Sequence, residues 1–168
     1  MASGRSLAAG LLAAVALLFS QVLAQDGPVG FDPNQPTEID AARAERLPGG
    51  EEWVGEGSVR ISQPGVVLTA DRMVVRIDPA TNEIRSVEAT GRVRYANIGG
   101  DAIAGNSARY VAAQNSLVVS GDVVLLQGPQ VATADELTYN TQTGAMVMSN
   151  RPGGRVRGLF SQQPDAGV

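Results

Sequence analysis

From Thr37 onward the chain alternates apolar and polar side chains in short runs, broken by Gly, Asn, Asp and Pro and rich in β-branched residues. In extended backbone, successive side chains point to opposite faces. Val59 and Ile61 therefore share one face, as do Met73, Val75 and Ile77, while Arg60, Arg72 and Arg76 face the other way. The same phase turns Val93, Tyr95, Tyr110, Leu117, Val119, Val123, Leu125, Leu137 and Tyr139 inward. A 3.6-residue period is missing, and only Glu38 to Arg46 has room for a short turn of helix. The pattern predicts a strand protein with one greasy face.

A motif of Gly-x-Val-x-large then recurs: Gly57-Ser58-Val59-Arg60-Ile61, Gly91-Arg92-Val93-Arg94-Tyr95, Gly121-Asp122-Val123-Val124-Leu125 and, loosely, Gly154-Arg155-Val156-Arg157. The glycines lie 34, 30 and 33 residues apart. Fourteen or so residues after each comes a small residue followed by Asp or Asn: Ala70-Asp71, Gly105-Asn106 and Ala134-Asp135. Each pair is expected to open a second strand, followed by a turn at Asp78-Pro79-Ala80-Thr81-Asn82, Ala113-Gln114-Asn115 or Asn140-Thr141-Gln142-Thr143-Gly144. A period of this length marks stacked supersecondary units, none of which can bury its apolar face alone.

The N-terminus changes the cellular setting. Arg5, an apolar run from Leu7 to Phe19, and Ser20-Gln21-Val22-Leu23-Ala24 form a secretory signal peptide with cleavage expected after Ala24. Residues 25–36 carry three prolines and no periodicity and read as a flexible leader. The domain is expected over residues 37–160, with a disordered tail at 161–168.

Composition narrows the chemistry. The chain has no cysteine and no histidine, which removes thiol nucleophiles, imidazole bases and the usual zinc ligands. Its 13 basic residues are all arginine and are outnumbered by 17 acids, so nucleic acid is not an expected partner. Asp71, Asn106 and Asp135 occupy equivalent repeat positions, and the middle one is an amide, so they are read as turn-forming residues rather than a catalytic or metal set. Arg60, Arg94, Val124 and Arg157 follow their glycines at one spacing and predict a partial arginine ladder on the outer face or groove rim. Trp53, the single tryptophan, is read as a packing lid at the N-terminal end. No phosphate-binding loop is present, so nucleotide hydrolysis is not an expected activity.

The series Gln35-Pro36-Thr37-Glu38-Ile39, Gly57-Ser58-Val59, Leu68-Thr69-Ala70-Asp71-Arg72-Met73-Val74-Val75 and Ala134-Asp135-Glu136-Leu137-Thr138-Tyr139, behind a signal peptide, resembles the OstA-like lipopolysaccharide-transport family, and within it the LptA-type periplasmic bridges. The likeness spans residues 35 to 160 and departs from the family at Ala41-Ala42, where Ala-Asp is expected. It implies an all-β fold, a curved open antiparallel β-jellyroll, in a non-enzymatic periplasmic carrier that needs no cofactor. It also implies that the inward stripe from Val59 to Tyr139 is a groove for the acyl chains of lipid A. The implied partner edges are Thr37, Ile39 and Ala41 toward an inner-membrane LptC-like partner, and Arg155, Val156, Arg157 and Phe160 toward an outer-membrane LptD-like one. Head-to-tail self-association uses the same edges. On the residues alone, a ligand-free scaffold such as a parallel β-helix and a polysaccharide-cleaving β-helix stay open.

Overall fold

A computed structural model describes residues 31, 32 and 35–159 of the chain. The expected signal peptide, Phe160 and the expected tail lie outside the described residues, as does most of the expected leader. Among the described residues ten strands form one sheet: β1 Glu38–Asp40, β2 Arg43–Arg46, β3 Glu52–Gln63, β4 Val66–Ile77, β5 Ile84–Asn97, β6 Asp101–Val111, β7 Ser116–Gln127, β8 Gln130–Asn140, β9 Met146–Ser149 and β10 Arg157–Leu159. Every pairing is antiparallel and joins sequence neighbours from β3 to β8; β1 and β2 both pair with β3, and β9 and β10 both pair with β8. This meander excludes the parallel β-helix. Glu38 to Arg46 is strand rather than a helical turn, because β3 supplies its hydrogen-bonding partners.

The repeat motif turns out to be a bend inside each long strand. In β3, β5 and β7 the pairs Gly57–Ser58, Gly91–Arg92 and Gly121–Asp122 all have positive φ. Each pair bulges opposite one residue of the next strand, Asp71, Asn106 or Asp135. Two positive-φ residues bend the strand sharply, and the first needs glycine because the Asp or Asn of the preceding strand lies over it. A Cβ on Gly91 would stand 2.9 Å from Asp71 Cβ, and one on Gly121 would stand 2.9 Å from Asn106 Cβ. Asp71, Asn106 and Asp135 therefore sit mid-strand, in β4, β6 and β8, rather than at strand entrances. The first repeat obeys the same geometry with different chemistry: Ala42 lies over Gly57 and donates its N–H to the Gly57 carbonyl at 3.1 Å, and the Ala41-Ala42 step separates β1 from β2.

The aligned bends fold the sheet into two layers. One layer contains residues 59–63, 66–70, 93–97, 101–105, 123–127 and 130–134, flanked by β1 and β10. The other contains 52–56, 72–77, 84–90, 107–111, 116–120 and 136–140, flanked by β2 and β9. They face one another: the Tyr95 ring of the first layer lies 6.0 Å from the Tyr139 ring of the second. An apolar core fills the space between them.

Candidate functional site: an apolar interior between two layers

Antiparallel register stacks the inward side chains into rows that cross the strands. In the first layer one row reads Ile39, Ile61, Leu68, Tyr95, Ile103, Leu125 and Ala132. In the second, Trp53, Val75, Val87, Tyr110, Leu117, Tyr139 and Met146 align in the same way. Each row crosses seven strands, and six spacings of ~4.8 Å give it a length of about 29 Å. Of the fourteen inward residues expected from the sequence, all but Ile77 are buried in the interior, and Ile77 is half-buried against it.

Reading the repeats as opening at Ala70, Gly105 and Ala134 missed the first halves of β4, β6 and β8, and with them Val66, Leu68 and Ile103, as well as Val87 and Ala89 of β5. The reason is a change of phase. Inward positions in β4 run Val66, Leu68, Ala70 and then Met73, Val75, Ile77, a step of three across Asp71 that breaks simple alternation. The interior of β8 does the same, with Ala134 followed by Leu137. Ala70 and Ala134 keep the inward-facing corner small, which is the signal that identifies it.

The interior differs at its ends. At the C-terminal end, a cavity of about 450 Å³ opens between Leu125, Ala132, Met146 and Met148. At the N-terminal end, Ile39 is 43% exposed on the inward row, and Trp53 is half-buried with the Arg46 guanidinium 5.6 Å from its ring. Both outermost strands leave one edge unpaired among the described residues: Glu38–Asp40 with Arg43–Arg46, and Met146–Ser149 with Arg157–Leu159. Within the expected edge segments, strand covers Glu38–Asp40 and Arg157–Leu159. Thr37 and Ala41 flank β1, and Arg155 and Val156 precede β10 without joining it.

Along the long side opposite the bends, the lining turns polar. Asp101 accepts from Asn97 Nδ2 at 3.2 Å, from Gln127 Nε2 at 3.1 Å, and from the Tyr139 hydroxyl of the opposite layer at 3.4 Å. Burial pushes the Tyr95 and Tyr139 hydroxyls well above the usual phenol range, and the Asp101 carboxylate adds to the effect in both. Charge otherwise stays outside. Arg60, Arg94, Val124 and Arg157 lie on one outward row, interleaved with Thr69, Ala104 and Thr133, so the arginine ladder faces away from the interior. Asp71 is held below the usual carboxylate range chiefly by its hydrogen bonds from Arg92, and Asp135 by the backbone N–H of Arg151 at 2.9 Å. Among the described residues no group of three or more acidic, His or Cys side chains is arranged to hold a metal.

Fold and interior define a bent, two-layered, open-edged antiparallel β-jellyroll whose greasy lining runs across its strands. The chain belongs to the family of LptA and LptD N-terminal domain lipopolysaccharide-transport proteins, whose model matches residues 38–145. Among solved structures it is similar to LptH of Pseudomonas aeruginosa, the LptA-homologous periplasmic component of that organism's lipopolysaccharide transport device. The two are 19% identical with a TM-score of 0.69, over 78% of this chain and 99% of that one. No curated protein sequence matches the chain.

Proposed function

We propose that this protein is a periplasmic, non-enzymatic carrier that shelters the acyl chains of lipopolysaccharide between its two layers and links inner-membrane to outer-membrane transport complexes. The observation that carries this reading is the direction of the inward rows. They run from the β1/β2 edge to the β9/β10 edge, so a chain moving along them stays against hydrocarbon throughout. Each methylene kept from water is worth about 0.8 kcal/mol, which no multi-acyl lipid can forgo while crossing an aqueous space. Val and Leu dominate the lining, with Ile, Ala, Tyr and Met beside them, an aliphatic surface to which flexible acyl chains can conform. Acyl chains enter by parting the layers on the side opposite the bend, where the Tyr139 hydroxyl reaches across to Asp101.

Unpaired edges are templates for strand addition. The β1/β2 edge receives the LptC-like inner-membrane partner and the β9/β10 edge the LptD-like outer-membrane partner, or the opposite edge of a second copy. Either joint continues the lining from one protein into the next.

A photo-reactive residue placed at Val75 or Leu125 is expected to capture lipopolysaccharide in the native envelope, identified by mass spectrometry, while one at the outward Arg94 captures none. Equal labelling at all three positions, or none at Val75 and Leu125, overturns the carrier reading. Removal of the chain from Arg155 onward is expected to abolish co-purification of the outer-membrane partner and to spare the inner-membrane one.

A further inference from the structure

The end of the leader crosses the long side of the jellyroll where the rims of the two layers face each other. On the first layer, Gln63 closes the inward stripe of Val59 and Ile61 with a carboxamide. Its Oε1 accepts the Asp32 N–H at 2.7 Å, and its Nε2 donates to the Asp32 carbonyl at 3.0 Å. On the second layer, the Phe31 ring packs edge-on against Tyr110, with centroids 5.8 Å apart. A cavity of about 400 Å³ lies among these groups, walled by Ile84 and Ala112.

The arrangement reads as a binding site occupied by the chain itself. Phe31 supplies an apolar group to a wall that continues into the core, and Asp32 supplies a donor and an acceptor that point the same way onto one amide. The clasp is exchangeable, because Nε2 has two protons for three acceptors: the Asp32 carbonyl, the Gln35 carbonyl at 3.2 Å and Thr37 Oγ1 at 2.7 Å.

We propose that Gln63 and Tyr110 form a subsite for a hydroxylated acyl chain, and that Phe31 and Asp32 compete for it. A tail replaces the Phe31 ring, a chain hydroxyl donates to Gln63 Oε1, and the neighbouring carbonyl or carboxylate oxygen accepts from Nε2. A plain acyl chain lacks the donor and leaves Oε1 unpaired, and sites built around a hydrogen bond discriminate strongly against analogues without it. The inference rests on the carrier reading and names where and how that carrier first grips a chain.

The test is calorimetric titration of the full mature chain with dodecanoate and with 3-hydroxydodecanoate. Phe31→Ala is expected to bind the hydroxylated acid about tenfold more tightly than the native chain does, and about tenfold more tightly than it binds the plain acid. This is the ratio produced by about 1.4 kcal/mol. The preference is expected to vanish in Phe31→Ala with Gln63→Met. Equal binding of the two acids by Phe31→Ala overturns the subsite without need of the Gln63 variant, and so does the absence of any gain over the native chain. Capture of lipopolysaccharide at Val75 is the separate readout of the carrier reading. With that capture intact, a missing hydroxyl preference overturns the subsite alone; with that capture absent, the carrier reading falls, whichever acid binds.

Discussion

Gly91→Ala is the sharpest test of the bend that divides the layers. Gly91 has φ +78°, and an added Cβ would overlap the Asp71 carboxyl, standing 2.9 Å from both its Cβ and its Cγ. The left-handed conformation costs an alanine ~1–2 kcal/mol. Displacing Asp71 and its Arg92 partner adds an overpacking penalty of about 1–3 kcal/mol, so the sum should be about 2–5 kcal/mol. For a domain of this size that lowers the melting temperature by about 6–15 °C. Gly128→Ala is the control, since its φ is +54° and nothing lies within 4 Å of its Cβ. It carries only the backbone strain, partly offset by the lower entropy of the unfolded alanine chain, and should cost about 1 kcal/mol. Urea unfolding followed by the fluorescence of Trp53, the one tryptophan, measures both. Adding Asp71→Ala to Gly91→Ala should recover part of the loss. The reasoning is refuted if the two glycine variants lose equal stability, or if the double variant recovers nothing.

Other consequences are equally direct. Met73 is fully buried and Val147 is 68% exposed, so Met73→Ala should cost ~2–5 kcal/mol and Val147→Ala within ~0.5 kcal/mol of nothing, read from the same unfolding curves. Asp71, Asp78 and Asp135 have carboxyls lowered by Arg92, by the Ala80 N–H and by the Arg151 N–H respectively. Lower values in the folded chain stabilise it above the unfolded pKa of about 3.9, and the gain disappears as pH falls through the folded values. Stability should therefore drop below about pH 4, and more shallowly in the triple Asp→Asn variant; an identical slope contradicts the assignment. Tyr95 and Tyr139 are raised, so their contribution holds below the unfolded phenol value of about 10 and is lost as pH climbs through the folded values. Tyrosinate absorbance should rise together with unfolding above pH 10, and Tyr139→Phe should shift that transition upward; ionisation of both phenols in a chain that stays folded would contradict it.

Alternation in the sequence was sufficient to place Val59, Ile61, Met73, Val75, Val93, Tyr95 and their counterparts on one face, because the two-residue period is a property of extended backbone and needs no partner. The recurring glycines likewise revealed the repeat. What the local pattern did not carry was the role of those glycines. Gly57, Gly91 and Gly121 look like strand starts after turns, yet they bend continuous strands of 12 to 14 residues. Only pairing with a neighbour distinguishes the two, since a bulge is defined by two residues facing one across a ladder. The same non-local fact hid Leu68 and Ile103, whose phase is set across Asp71 and Asn106 rather than by alternation. It also moved Asp71, Asn106 and Asp135 from turns to the bend line. The tail-like leader was polar and aperiodic in sequence, and its contact with Gln63 spans 31 positions. Alternation thus determined which side chains face the interior within each half-strand, whereas tertiary pairing decided where the halves join, how the layers close, and which residue stands at the mouth.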